Sequence, residues 1–286
     1  MAASVSPSPF PFPVFVINLA RSTERWRLVS ARAAAIGLPL IRIGAVDGDA
    51  IPADERSELD LRRFRLCHGR SPLPGEYGCY LSHLAALDAV LANGAANAVI
   101  LEDDAWLPDA FAARVLAVVA SSLPFDLVKL HNHRVSGFIR RATTAEGDAL
   151  GRCLHGPLGS TAGYLVSRAG AARLRQTLTP MTLPYDIALE RGWRHGLRIY
   201  ACRPSLVQLA PVHHQSDIVD PSDPARSYAG SKLPLPLRTP TAIFRGIEYL
   251  RRAAYAVEPD THLLRMTPRR FRATLGKGFD EDDHAR

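Results

Sequence analysis

The sequence predicts an α/β fold, with a mostly parallel central sheet flanked by helices and a basic, partly helical C-terminal tail. Three observations carry that expectation. Short β-branched runs alternate with segments whose apolar residues recur at helical spacing, the pattern of strands joined by crossover helices. One such run, Ala98–Leu101, ends in three consecutive carboxylates, Glu102, Asp103 and Asp104. The positive charge is confined to one end. Between Pro224 and Gly278 eleven lysines and arginines face three acids, so the rest of this +7 chain is close to neutral.

The elements follow in order. Val14–Leu19 (VFVINL), bounded by Pro13, reads as a buried strand. Ser22 or Thr23 caps the next helix, whose Trp26, Val29, Ala33 and Ile36 share a face and which Gly37 stops. Leu40–Ala45 makes a second strand, closed by the turn signal Val46–Asp47–Gly48. Residues 49–74 are polar, arginine-rich and irregular. A helix then runs from about Gly75 to Leu91 with Leu84, Leu87 and Leu91 on one side, and Asn93–Gly94 ends it before the strand at 98–101. A helix at 109–120, a strand at 126–130, strands at 149–154 and 162–166 and a helix at 168–178 continue the alternation. A short helix at 184–191 and a strand at 197–200 complete it. Beyond Val219 the composition turns to Pro, Ser and Arg, with an amphipathic helix at 241–256 carrying Ile243, Ile247, Leu250 and Ala254 on one side. The expected domains are a lead-in over 1–12, one catalytic domain over 13–220 and an extension over 221–286.

Composition excludes several classes. At 47% hydrophobic and 22% charged residues the chain is an ordinary globular sequence, and no apolar run approaches the roughly 20 residues of a membrane span. MAASVSPSPFPFP lacks the basic and apolar regions of a secretory signal. The four cysteines have neither metal-ligand spacing nor the density of a disulfide framework, so a cytoplasmic location is expected. No GxGxxG or GxxxxGK[ST] is present, which counts against NAD and P-loop chemistry.

Ligands of open α/β sheets bind beyond the carboxyl ends of the strands, where Glu102, Asp103 and Asp104 stand. An extended backbone throws Glu102 and Asp104 to one side and Asp103 to the other. Clustered hard oxygens suit Mg²⁺ or Mn²⁺, and an ion so held neutralises a departing diphosphate. One of His213 and His214 adds a nitrogen ligand, with His214 preferred, which favours Mn²⁺ over Mg²⁺. His131 and His133 resemble a two-histidine metal edge, with no third soft ligand near.

Three segments taken together carry a resemblance: VFVINLARSTERW at 14–26, GEYGCYLSH at 75–83 and VILEDDAWL at 99–107. In this order and spacing they resemble glycosyltransferase family 25, the lipooligosaccharide-type transferases. Ala45–Asp47–Gly48, Gly159–Tyr164, Pro184–Asp186, Gln208 and Ser216–Ile218 fall where the family has related segments, and the match covers about residues 13–218. The resemblance implies a GT-A-like fold, a UDP-sugar donor, a divalent metal and inverting transfer, commonly of galactose, to a lipooligosaccharide or lipopolysaccharide acceptor.

Roles follow on that footing. Asp104 contacts the metal, with Glu102 beside it and Asp103 on the donor ribose or a metal-bound water. Asn18, Arg21 and Arg25 follow the first strand and meet the nucleotide. Ser82 and His83 lie on the early turns of a helix and bind donor or orient a carboxylate. Cys79 is packing. Inverting transfer needs a carboxylate to take the acceptor's proton; Asp186 is that base or an acceptor-binding group, and Glu76 is the alternative.

The basic tail admits an anionic membrane surface, placing the protein on the inner face of the cytoplasmic membrane beside a glycolipid or glycan acceptor. Nucleic acid is rejected as a partner, because no recognition module accompanies the charge. A phosphohydrolase would also use strand-end carboxylates, but a D-x-D-x-[TV] stretch is missing. A catalytically silent scaffold is disfavoured by the intact acidic triplet.

Overall fold

The computed structural model describes residues 10–210, 223 and 227–259. Its centre is a sheet built on β1 (Val14–Asn18), β2 (Ile41–Gly44), β3 (Asn97–Glu102), β5 (Leu127–Lys129), β6 (Ser136–Thr143), β7 (Ala149–His155), β8 (Gly163–Ser167) and β9 (Ile199–Arg203). The eight strands lie in the order β2-β1-β3-β8-β5-β9-β7-β6. A two-stranded ribbon joins β4 (Ala105–Trp106) to β10 (Gln208–Leu209).

The helices are α1 (Thr23–Ala35), α2 (Leu61–His68), α3 (Pro74–Asn93), α4 (Phe111–Val119), α5 (Arg168–Thr177), α6 (Tyr185–Leu189), α7 (Gly192–His195) and α8 (Thr239–Val257). The molecule is the expected α/β fold with helices on both faces of a large sheet, compatible with a GT-A-like arrangement. The sheet is mixed rather than mostly parallel. The β1·β2, β1·β3 and β5·β9 pairs are parallel, whereas β3·β8, β5·β8, β6·β7 and β7·β9 are antiparallel. β8 and β7 are the reason. β8 returns between β3 and β5, β7 runs against both β9 and β6, and period-2 patterning carries no information on strand direction.

Alternation along buried strands builds two cores. Phe15, Ile17, Ile100, Tyr164 and Val166 face α3 and α5, while Val14, Val16, Val99, Leu101 and Leu165 face α1 and α4. A strand buried on both faces reads as a continuous apolar run, which is why VFVI and AVIL were legible. Full burial of each such aliphatic stabilises by about 1.5–3 kcal/mol.

Two stretches differ from expectation. Residues 49–74 contain two 3-10 turns and helix α2, which the Asp60 side chain caps by accepting from Arg63 N at 2.9 Å. Residues 136–143, where no element was expected, form strand β6. It is an edge strand with little burial, so its apolar signal is weak. Ser22 stands at the N-cap of α1 without a side-chain cap bond. Gly37 and Gly94 end their helices with φ of +66° and +82°, the left-handed geometry glycine tolerates.

The chain leaves β1 for β2 on one side and later returns to β3 on the other. The crevice beyond β1 and β3 is therefore a topological switch point. Asn18 ends one of these strands and Glu102 the other.

Candidate active site

A cleft of about 630 Å³ opens at this switch point. Arg21, Arg25, Glu76, Ser82, His83, Glu102, Asp103, Asp104 and Asp186 all line it. Asn18 lies just behind the wall, and His213 and His214 fall outside the described residues.

The cleft's floor is made by one close packing. Helix α3 crosses the Val46–Asp47–Gly48 turn so tightly that a Cβ on Gly78 would lie 2.5 Å from Gly48 N, and one on Gly48 would lie 1.8 Å from Pro74 O. Both glycines are required by this contact rather than by backbone conformation. Ser82 completes it: its Oγ accepts from Val46 N at 2.8 Å and donates to Gly78 O at 2.7 Å. The Ser82 hydroxyl is thus committed to backbone, and its part is to fasten the turn rather than to bind donor.

The acidic triplet divides by environment. Strand β3 stops at Glu102, and Asp103 and Asp104 occupy the turn into β4. The expected alternation of three side chains along one strand therefore does not apply. Glu102 Oε1 is 3.1 Å from His83 Nε2 and also accepts from Thr161 Oγ1. Although burial pushes its carboxyl up, the His83 and Thr161 contacts prevail and hold it below the usual carboxylate range. Asp103 Oδ2 accepts from Asn18 Nδ2 at 2.6 Å, and Oδ1 faces Arg25 Nη1 at 3.3 Å. Burial still raises its carboxyl, against both partners.

Asp104 is different. Its Oδ1 is buried with no hydrogen-bond partner. Burial first, then the neighbouring Glu102 and Asp103 charges, push its carboxyl up to about 7. A carboxylate oxygen held dry beside two other acids is costly unless a cation joins it. The chain's own groups thus fit a divalent ion at Asp104, with Glu102 beside it engaged through Oε1 alone; they fit one less well at Asp103, both of whose oxygens are engaged.

Asn18 donates to Ser22 O at 3.0 Å as well as to Asp103, and its Oδ1 accepts from Arg42. With all its polar atoms used, it positions Asp103 rather than reaching a ligand. Arg21 pairs with Asp47 at the cleft edge, so it and Arg25 are the cationic groups on that wall.

His83 is fully buried. Its ring stacks on Tyr185 with centroids 4.2 Å apart, and its Nδ1 is 3.1 Å from Tyr164 Oη. The side chain of His83 thus has its two ring nitrogens on Tyr164 and Glu102. Cys79, His83 and Glu102 present ligand atoms within 4.8 Å of one another. Burial lifts the Cys79 thiol well above its ordinary value, consistent with packing rather than nucleophilic chemistry.

On the opposite wall Asp186 sits in the first turn of α6, where its Oδ1 accepts from Ile187 N at 2.8 Å. Burial raises its carboxyl and the nearby Lys129 ammonium opposes that rise. Glu76 Oε2 accepts from Leu73 N at 2.9 Å, and burial pushes this carboxyl up to about 7. His131 and His133 follow β5 in a loop, not on a strand. Their rings meet edge to face at 5.3 Å, and only His133 lines the cleft.

Three groups escaped the sequence reading, Lys129, Glu190 and Arg252, and Thr161 entered it only within the Gly159–Tyr164 segment, without a role. Lys129 Nζ donates to Gly159 O at 2.8 Å and lies 3.7 Å from Glu190. Glu190 accepts from Leu158 N at 2.9 Å and from Arg252 of α8. Together they hold the 156–161 loop, in which Gly159 and Ser160 both take positive φ, +71° and +63°, and which turns Thr161 onto Glu102. The visible signal was a lysine inside the apolar run DLVKL.

Fold and site together define an α/β domain compatible with a GT-A-like arrangement, with acids gathered at the switch point. A family model described as glycosyltransferase family 25 (LPS biosynthesis protein) matches residues 12–189. The chain belongs to glycosyltransferase family 25. It is 28% identical over 227 residues to inactive glycosyltransferase 25 family member 3 of Mus musculus, covering 71% of this chain and 37% of that protein. It is 26% identical over 226 residues to procollagen galactosyltransferase 1 of Danio rerio, covering 71% and 37%. A glycosyltransferase 25 family member of Drosophila pseudoobscura pseudoobscura is 31% identical over 169 residues, covering 56% and 26%. The chain thus aligns with well under half the length of these relatives.

Proposed function

We propose that this chain is an inverting, metal-dependent glycosyltransferase. It moves a sugar, galactose in the first instance, from a UDP-sugar to a hydroxyl of a lipooligosaccharide, lipopolysaccharide or related glycan. The observation that carries the reading is the buried, unpartnered Asp104 Oδ1 inside the cleft at the switch point. A divalent cation, Mn²⁺ in preference to Mg²⁺, supplies charge neutralisation for the diphosphate when bound. Asp104 holds it, and His214 is the nitrogen ligand proposed from sequence. Glu102, kept ionised by His83 and Thr161, adds negative potential behind Asp104. Arg21 and Arg25 face the nucleotide. Asp186 takes the acceptor hydroxyl's proton as that oxygen attacks, its ionised form supported by Lys129; Glu76 is the second candidate for this step. The proposed location is the cytoplasm, at the inner face of the membrane. Among the described residues no helix is long and apolar enough to cross it.

The test is UDP release across a panel of UDP-sugars with Mn²⁺, Mg²⁺ or EDTA, with and without a glycan acceptor, comparing the wild type with Asp104→Ala. Metal-dependent release that prefers one sugar and disappears in the variant supports the reading. The mouse relative's name, an inactive member, favours one second reading, a sugar-nucleotide-binding scaffold without transfer. Metal-dependent UDP binding by calorimetry with no turnover on any donor would establish that alternative.

A further inference from the structure

One aromatic side chain reaches the cleft from beyond the family match. The matched region ends at residue 189, yet the chain comes back at residues 227–233 and adds Tyr228 to the cleft lining. This return is fastened from one side. Ser71 N donates to Ser231 O at 2.8 Å and Leu233 N to Gly69 O at 3.1 Å, and Arg70 forms an antiparallel bridge with Lys232. Arg70 closes the clamp. Its guanidinium donates to Tyr228 O, lies 3.3 Å from Ser231 Oγ and sits 5.4 Å from the centroid of the Tyr228 ring. With its backbone pinned and one ring face under a cation, Tyr228 still leaves 45% of its surface exposed.

Its neighbours decide what the ring meets. The stretch that holds it, residues 69–71, runs on into Leu73, whose N–H is bonded by Glu76 Oε2 at 2.9 Å. Burial raises the Tyr228 phenol, and the Glu76 and Asp186 carboxylates raise it further. The ring therefore belongs to the wall of the two candidate bases. An aromatic face is the negative side of its quadrupole, and the C–H hydrogens on the apolar face of a pyranose are weakly positive. Stacking them also takes apolar surface from water, while the hydroxyls at the sugar's rim stay open to hydrogen bonds. We infer that Tyr228 is the stacking platform of the acceptor subsite: a hexopyranose lays its C–H face on the ring face turned from Arg70 and so points a hydroxyl at Asp186 or Glu76. A nucleotide base could stack on the same ring, but it would bring a diphosphate up to these two carboxylates, which like charge disfavours. The role as acceptor subsite rests on the proposed function; hexose binding at Tyr228 does not.

Saturation-transfer NMR on the full chain tests it, with UDP and Mg²⁺ present and methyl β-galactoside and methyl β-glucoside as probes. Saturation should pass from the protein to the ring hydrogens on one face of at least one hexoside. Tyr228→Ala should weaken that binding about tenfold, the scale of one stacking contact. Tyr228→Phe keeps the ring and should bind the hexoside as the wild type does, which guards against a folding defect. UDP affinity, measured by calorimetry, should not follow the hexoside. No saturation of either probe by the wild type, or undiminished binding by Tyr228→Ala, overturns the inference. A loss in Tyr228→Phe as large as in Tyr228→Ala overturns it in favour of a bond from the hydroxyl. A parallel loss of UDP affinity in Tyr228→Ala overturns it by assigning the ring to the donor. Ring-dependent hexoside binding by a chain that transfers no sugar would sink the transfer reading and leave the hexose site standing; transfer indifferent to Tyr228→Ala would do the reverse.

Discussion

Adjacent carboxylates can have opposite chemistry when their neighbours differ. Glu102 meets an imidazole and a hydroxyl and stays ionised, while at Asp104, two positions on, burial and the neighbouring acids outweigh the Arg25 charge. His195 shows the same rule for a base. It is buried with Nε2 on Ala188 O at 2.8 Å, and burial lowers it to about 4. The unfolded chain, with an ordinary histidine near 6.5, binds more protons between those values. This contribution to stability is therefore complete above pH 6.5 and fades as pH falls toward 4, to a loss of about 3 kcal/mol. Thermal melts at pH 7 and pH 5 should show a drop that His195→Gln reduces; equal drops in both would refute the assignment. In the same core, Leu101→Ala removes a fully buried side chain and should cost about 2–5 kcal/mol in denaturant titration.

Helices α3 and α8 owe their placement to contacts that few substitutions survive. Gly78→Ala would press a methyl into the Gly48 backbone, so it should destabilise by about 1–3 kcal/mol or more. It should also weaken nucleotide binding, because the displaced turn carries Asp47 on the cleft wall. The loop at 156–161 hangs on a buried ionic network. Arg252→Met leaves Glu190 with Lys129, 3.7 Å away, as its ion-pair partner and should cost about 1–3 kcal/mol. Adding Glu190→Gln should deepen that loss, because buried Lys129 then loses its paired carboxylate. A double variant as stable as the single one would show that the network is not coupled in this way.

Across the molecule, the region matched by the family model ends at residue 189, but the structure that supports the cleft does not. Helix α8 fills a hollow where a Cβ on Gly192 would lie 2.2 Å from Tyr255 Oη, and one on Gly156 would lie 2.4 Å from Arg252 Cζ. Arg152 adds bonds to Tyr255 O at 3.0 Å and Glu258 O at 3.1 Å. Deleting residues 239–286 should therefore lower the melting temperature by many degrees and impair UDP binding along with it, although none of the described residues it removes lines the cleft. A truncated chain with wild-type melting and binding would show that the helix is dispensable.

Local patterns were enough for the α/β class and for most strands and helices, and the family resemblance for expecting Arg21, Arg25, Glu76, His83 and the acidic triplet at one site. Buried strands are apolar throughout, glycines mark close approaches, and strand-end acids stand where such sheets bind ligands. Strand direction, the edge strand β6 and helix α2 were not legible, because each depends on neighbours brought from elsewhere in the chain. The same holds for the roles inside the site. Which carboxylate oxygens are engaged was decided by Asn18, His83 and Thr161 converging from separate segments, and Asp104 Oδ1 is left buried without a partner. The sequence likewise marked an amphipathic helix at the C-terminal end. Only tertiary packing decided that its charges turn inward, because Glu190 and Arg191 wait there for partners and leave the aliphatic side facing out.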